Sequence, residues 1–552
     1  MRSWISFTDG EKNKSAEKTI RYSGLDAMDE ESATASICYK TEGIWQITEP
    51  YNQKGYMLYD LPEAGTTTEV GEPMLIREGL YVVVPPGKKF SRLKVTYVTE
   101  TDLNGEHDII PVPKPAHEKE DLEFIKNETL YKTDSSYPYV YAEFIGQEQV
   151  LGIKCAHLYI YPMHYRPKSK IVTAAKQIEI KIWFEDDPST DELSKEASSN
   201  FHKEALDSLL LGYSDIYKTV TDPKPKMVII TTEELQNSMK AYEAAKAVQY
   251  DVETVLTKDI YTKYQGKSND EAILAFLMDK YDNDKISYVV LGGDVNQIPT
   301  HKDKNNFASD SYYCTDGKTV SPRFPLSRFP ARNNTELKKQ ADTASCYNKH
   351  YDEQIRHTAI FTAYGKNNRK DYIQCKEDID SSLDKAVFTV KKCYDDGKGE
   401  KDKLISAINE GAAFINYRGH GDDTEWQSSN GLDVNDIPDL DVKTNTPIVL
   451  SIACNTNNLL VNECFGACWI RNEKAVAFLG ASEGTYTTIN DAFDKYLWEA
   501  IKNGSSVIGD IYVWATTELY RNYCNESTEE NIREYLLLGD VSADYLAKDV
   551  TL

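Results

Sequence analysis

Cysteine is sparse in this chain, ten residues in 552, and no two of them form a CxxC pair. Cys464 and Cys468 are spaced i, i+4 with no histidine cluster beside them, which argues against a zinc site. Ten cysteines in a chain this long do not make a disulfide scaffold, and most read as small buried hydrophobes. Long apolar runs are also missing. Nothing approaches the roughly 18 consecutive apolar residues of a membrane-spanning helix. Basic residues are fewer than acidic ones, 63 against 88, for a net charge of −25. General nucleic-acid binding needs a basic footprint, so that class is set aside. The opening Met1-Arg2-Ser3-Trp4-Ile5-Ser6 lacks the apolar stretch of a signal peptide. Either the protein stays in the cell or a leader has been removed ahead of it.

What remains is an ordinary globular composition, 40% hydrophobic and 27% charged, in a chain too long for one core. Residues 1–200 read as a β-rich domain. Leu93-Lys94-Val95-Thr96-Tyr97-Val98 alternates with the period of a half-buried strand, and Ile178-Glu179-Ile180-Lys181-Ile182-Trp183-Phe184 does the same. Pro and Gly punctuate such runs at short intervals, the pattern of an antiparallel sandwich or barrel. Residues 201–226 read as a linker with one short helix, Phe201 to Leu211, ending in Pro223-Lys224-Pro225-Lys226. From 227 strands and helices alternate, which predicts an α/β domain whose mainly parallel sheet is flanked by helices. We divide it into subdomains 227–350 and 351–552. The expected elements include a strand at 227–232, a helix over 233–248, and strands at 286–294, 358–363, 386–394 and 475–482.

Two apolar runs stop abruptly at reactive side chains. Phe414-Ile415-Asn416-Tyr417-Arg418-Gly419-His420-Gly421 delivers a histidine between glycines. Pro447-Ile448-Val449-Leu450-Ser451-Ile452-Ala453-Cys454-Asn455 delivers a cysteine. Neighbouring parallel strands place their C-terminal ends side by side, where sites of α/β proteins form. An imidazole beside a thiol supplies a base for a nucleophile, and it later protonates the leaving amine. The glycines allow a sharp turn and close approach of substrate. The amides of Gly421 and Cys454 are candidate oxyanion donors. The pair reads as a cysteine hydrolase, with protein or peptide substrates.

The stretch from Asn416 to Gly421, then Trp426, then Ser451-Ile452-Ala453-Cys454-Asn455 closely resembles the gingipain family of cysteine peptidases, relatives of caspases, legumain and clostripain. Further ordered matches are Tyr288–Asp294 with Ile298-Pro299, Asp310-Ser311-Tyr312-Tyr313, Leu326-Ser327-Arg328-Phe329-Pro330 and Leu538-Gly539-Asp540-Val541-Ser542. The resemblance covers about 225–552. More weakly, residues 70–185 are similar to the family's pro-region. It implies a caspase-like fold, His420 as base and Cys454 as nucleophile. It also implies cleavage after Arg or Lys through an acidic pocket residue, for which Asp371 is the positional candidate, with Trp426 and Ser482 as possible pocket linings. No cofactor is required. The resemblance raises structural calcium, although no loop of EF-hand type is present. The family places a carboxylate after the strand matching 358–363 to orient the histidine; here that position reads Ala363-Tyr364-Gly365.

A pro-region implies a zymogen. Residues 1 to about 225 are expected to cover the cleft as an intramolecular inhibitor until cleavage after Lys218, Lys224 or Lys226. The resemblance suggests a secreted or cell-surface bacterial protein with its signal peptide removed. The chain ends without the later domains of the secreted relatives, which puts that export route in doubt. The competing readings are an inactive caspase-like scaffold and a cysteine peptidase of non-basic specificity.

Overall fold

The computed structural model describes residues 2–8, 15–24, 34–187, 203–217, 224–349, 352–365, 371–395, 401–428, 430–442 and 446–547. Strands such as Ile448–Ile452 and Phe414–Arg418 are buried at every position. That explains their unbroken apolar character, since helices cover both faces of a parallel sheet. These strands belong to one ten-stranded sheet. Its spatial order is Asp251–Leu256, Lys226–Thr231, Ile286–Gly292, Leu326–Phe329, Tyr535–Gly539, Ala477–Ala481, Ile448–Ile452, Phe414–Arg418, Thr358–Ala363 and Thr389–Tyr394. Every neighbouring pair is parallel except Tyr535–Gly539 against Ala477–Ala481. The sheet is therefore two parallel halves of opposite direction, and the strand closing the first half comes from the far end of the chain.

Two expected elements differ. The helix foreseen over 233–248 is a 3-10 turn at Gln236–Met239 followed by a short helix, Lys240–Lys246. There the Ser238 hydroxyl donates outward to Asn334. The strand foreseen from 386 begins only at Thr389. The Asp384 carboxylate accepts from the Ala386 amide at 2.8 Å, and this local turn takes up the first three residues.

The N-terminal region is an antiparallel sandwich. One sheet is built on the long strand Ile171–Asp186, paired with Thr34–Lys40 and Lys88–Asp102. The other contains Ile76–Val83, Ile153–Ile160 and Ala142–Val150. Leu80, Val82, Leu158, Ile178 and Ile180 fill the space between them. Tyr81 and Val83 alternate onto the opposite face and share a core with the α/β domain. That is why all eight residues of Ile76–Val83 are buried. At Gly79 the docking is closest: a β-carbon there would lie 2.0 Å from the Arg521 carbonyl oxygen.

The described part of the linker packs against the rest of the chain. Its helix is Lys203–Leu209, and Leu210–Leu211 adds a short parallel strand beside Tyr81 and Val82. Leu206, Leu209 and Leu210 are fully buried. Of the anticipated cleavage sites, Lys218 lies outside the described residues. Lys224 is exposed, while Lys226 already opens a sheet strand. Among the described residues no helix is long and apolar enough to cross a membrane.

Beneath Phe414–Arg418 sits a buried ion pair, Lys376 with Asp494, both side chains fully inaccessible. The Asn416 carboxamide oxygen accepts from Lys376 and, at 2.7 Å, from Trp498 Nε1. Removing one partner leaves an unpaired buried charge. Asp494→Asn is expected to destabilise the chain by about 3–5 kcal/mol, measured by urea unfolding, and replacing both partners with apolar residues by much less.

Candidate active site

The strands bearing the two reactive residues are direct neighbours, and Arg418 is the register partner of Ile452. Two residues further along each chain come His420 and Cys454. Both residues thus follow directly on the paired ends of neighbouring strands. The Gly419 amide donates to the Ile452 carbonyl at 3.3 Å, and the His420 carbonyl accepts from the Tyr417 hydroxyl at 2.8 Å and the Gln427 amide at 3.0 Å. These bonds fix the turn that carries the histidine. A β-carbon on Gly421 would lie 2.6 Å from the Cys454 carbonyl oxygen. Gly421→Ala is therefore expected to push the two backbones apart and lower kcat/KM at least ~100-fold, measured by peptide hydrolysis.

Cys454 is 6% exposed. Its Sγ accepts from the Thr485 amide at 3.3 Å and lies 3.4 Å from the Thr485 hydroxyl. Burial, then the nearby Glu118 carboxylate, pushes the thiol up to about 11. The His420 ring meets Tyr364 and Tyr372 edge-on, with centroids 4.7 and 5.5 Å away. Tyr364 stands where the resemblance leads one to expect an orienting acid.

An acid does enter the site, but from the N-terminal sandwich. The Glu118 amide donates to the Thr485 carbonyl at 3.1 Å, and the Thr487 amide donates to the Ala116 carbonyl at 3.0 Å. Between them His117 pairs antiparallel with Tyr486 and stacks on its ring, and its Nδ1 lies 2.8 Å from the Gly484 carbonyl oxygen. The Glu118 side chain is fully buried. Its carboxylate accepts from Arg418 Nη1, Asn490 Nδ2 and the Tyr372 hydroxyl, each at 2.6 Å. Arg418 is also fully buried; it stacks over Tyr372 and bonds Asp491 and the Thr487 carbonyl.

Glu118, Arg418, Tyr372 and Asn490 carry no role in the sequence analysis. For Arg418 a signal existed, since an arginine ending a buried apolar strand requires a buried partner. Glu118 lies in a charged loop that carries no pattern.

The other candidates are placed as follows. Trp426 is an interior side chain: Nε1 donates to Ser451 at 2.9 Å and the ring stacks on Tyr417. The Ser482 hydroxyl donates to the Ala308 carbonyl at 2.6 Å. Both side chains are buried. Asp371 begins the helix Asp371–Ser382, and its side chain lies outside the described residues. The ordered motif acids are structural. Asp310 takes two bonds from Arg328, at 2.6 and 2.8 Å, and Asp540 pairs with Lys246 at 2.7 Å. Among the described residues Glu148, His157 and Cys524 could together hold a metal ion. This mixed O, N and S set suits zinc better than calcium, which takes oxygen ligands.

The model of peptidase family C25 matches residues 220–545, and that of the C25 propeptide matches residues 31–221. The chain belongs to peptidase family C25. Gingipain R2 of Porphyromonas gingivalis is 23% identical over 375 residues, covering 63% of this chain and 48% of its own length. Lys-gingipain from the same species is 22% identical over 537 residues, covering 88% of this chain and 29% of its own length. The C25 chain thus spans half or less of the length of these curated relatives. In fold, it matches the crystal structure of the Arg-specific cysteine proteinase gingipain R with a TM-score of 0.52 and 20% identity, over 58% of this chain and 78% of the other. It matches a complex of Porphyromonas gingivalis pro- and mature domains with a TM-score of 0.51 and 21% identity, over 57% and 78%. The caspase-like architecture and the N-terminal pro-region of the C25 chain follow from these matches.

Proposed function

We propose that this C25 chain is a cysteine endopeptidase held latent by its own N-terminal region. The observation that carries the reading is that His420 and Cys454 each follow, by two residues, the register-paired Arg418 and Ile452, with the pro-segment 116–118 lying along the loop that touches the thiol. His420 takes the Cys454 proton as the sulfur attacks the peptide carbonyl, with the Gly421 and Cys454 amides receiving the oxyanion. His420 then protonates the departing amine, and water hydrolyses the thioester. Edge-on packing of Tyr364 and Tyr372 holds the imidazole ring. Nicking near residues 218–224 frees the pro-region. Secretion or cell-surface display is the compartment that goes with this reading.

The relatives' names carry a preference for Arg or Lys, which asks for an acidic pocket residue such as Asp371. A non-basic specificity is the second reading, and the pairing of Glu118 with Arg418 favours it.

The test is labelling by a thiol-reactive peptide ketone before and after brief tryptic nicking. Covalent capture of Cys454 after nicking supports the peptidase. A Cys454 that stays unlabelled, with no hydrolysis of any peptide, returns the chain to the inactive-scaffold reading.

A further inference from the structure

We propose that the cavity formed by Arg418, Tyr372 and Asn490 is the primary specificity pocket, that it takes a Glu or Asp side chain on the N-terminal side of the cleaved bond, and that Glu118 occupies it in the latent chain. The inference rests on the peptidase reading above.

The first argument is backbone register. An extended peptide added to a free edge is held by main-chain bonds, and its alternate side chains enter pockets. Residues 116–118 bind 485–487 in this way, antiparallel, with one bond at Ala116 and one at Glu118. Thr485 is both the acceptor for Glu118 and the donor to Cys454 Sγ. The residue bonded to Thr485 is therefore the one set nearest the nucleophile. After Glu118 the chain turns: the Glu120 amide donates to the His117 carbonyl at 2.9 Å, and the Glu120 carboxylate accepts from the His117 amide at 2.9 Å. The segment is extended like a substrate before Glu118 and folded back after it. This is how a bound strand can fill a cleft without offering a peptide bond to the thiol.

The second argument is the chemistry of the cavity. All three groups on the Glu118 carboxylate are donors, and all come from the α/β domain. Arg418 ends the strand leading to His420, Tyr372 lies on Asp371–Ser382, and Asn490 lies on the helix Thr487–Lys502. A guanidinium, an amide N–H and a hydroxyl converging on one spot recognise a carboxylate. A lysine or arginine side chain in the same place would bring a second cation against a buried one. Asp491 also pairs with Arg418, on a partly exposed flank, so the arginine remains compensated when Glu118 leaves. Asn490 is itself fixed, its carboxamide oxygen accepting from Tyr535 at 2.9 Å and Asn531 at 3.2 Å. The donor geometry thus belongs to the enzyme and not to its inhibitor.

Two experiments on the full chain decide this. In the first, the nicked chain is assayed against fluorogenic peptides with Glu, Asp, Gln, Arg, Lys or Leu at the cleaved position. Glu or Asp is expected to exceed Gln, Arg and Lys by at least 100-fold in kcat/KM. Tyr372→Phe, which removes only the hydroxyl, is expected to raise KM for the Glu peptide several-fold more than for the Gln peptide. Faster cleavage after Arg or Lys overturns the proposal. The second experiment needs no turnover, so it separates failure of the pocket from failure of the peptidase reading. In the intact chain, alkylation of Cys454 by iodoacetamide is compared among wild type, Glu118→Asp, Glu118→Gln and Glu118→Lys, each with an unchanged thermal melt. Glu118→Lys, and to a lesser degree Glu118→Gln, is expected to expose Cys454 at least tenfold over Glu118→Asp. A lysine variant as well protected as wild type overturns the pocket, whatever the peptide panel shows.

Discussion

Cys454→Ala, nicked as the wild type is, is expected to lose on the order of 10⁴-fold or more of its peptide-hydrolysing kcat, the scale found when a covalent nucleophile is removed. His420→Ala is expected to lose a comparable amount, and the double variant little more than either single one. The reason is that the two act as a unit: without the base the thiol stays protonated, and without the thiol the base has nothing to deprotonate. Non-additivity is the informative part. Independent losses that multiply would mean that His420 and Cys454 serve separate steps, contrary to their placement on paired strand ends. The measurement is steady-state hydrolysis of the best peptide of the panel, with intact melting curves as the control.

The second large effect concerns the thiol before and after activation. In the latent chain burial and Glu118 push Cys454 up to about 11, against ~8.5 for a free cysteine. The sign follows from linkage. The docked pro-region favours the protonated thiol, so its contribution to docking is complete below the free thiol's pKa. That contribution is lost as pH rises toward 11. Alkylation of Cys454, followed by mass spectrometry of its own peptide, is therefore expected to be slow at neutral pH in the intact chain and to climb through the alkaline range. After nicking and departure of Glu118, the profile is expected to move down by about two units or more. At neutral pH this is a gain of roughly 10²-fold or more, because the thiolate is the reactive form. Identical profiles before and after nicking would mean that the pro-region does not govern the nucleophile.

Much of the candidate site was legible because its residues lie in local patterns. An apolar run that ends at Gly-His-Gly, and another that ends at Ala-Cys, each combine a burial pattern with a residue that burial alone does not explain. Strand, turn and reactive side chain lie within nine residues, so the pattern survives without knowledge of the partner. The same locality made the β-rich region readable from its period-two alternation. Asn416 and Arg418 were in view within the same motif. Their partners Lys376, Trp498, Glu118 and Asp491 are far away in sequence, and nothing local marks them. Trp426 and Ser482 each follow a site strand, the position from which a pocket lining is expected. Proximity to a strand end does not say which way a side chain turns, and both turn inward.

The sequence by itself determined the two-part architecture, the strands that end at His420 and Cys454, and membership of a peptidase family. These rest on short-range periodicity, glycine placement and motif order, all written along the chain. Only the tertiary structure decided what packs against Arg418. The contact of Glu118 with Arg418, Tyr372 and Asn490 joins residues hundreds of positions apart. It exists because one face of the N-terminal sandwich buries against the α/β domain and carries the 116–118 segment to the sheet edge. Charge at a pocket is set by which side chains packing brings together. In this protein packing brought the Glu118 carboxylate to Arg418, near Cys454.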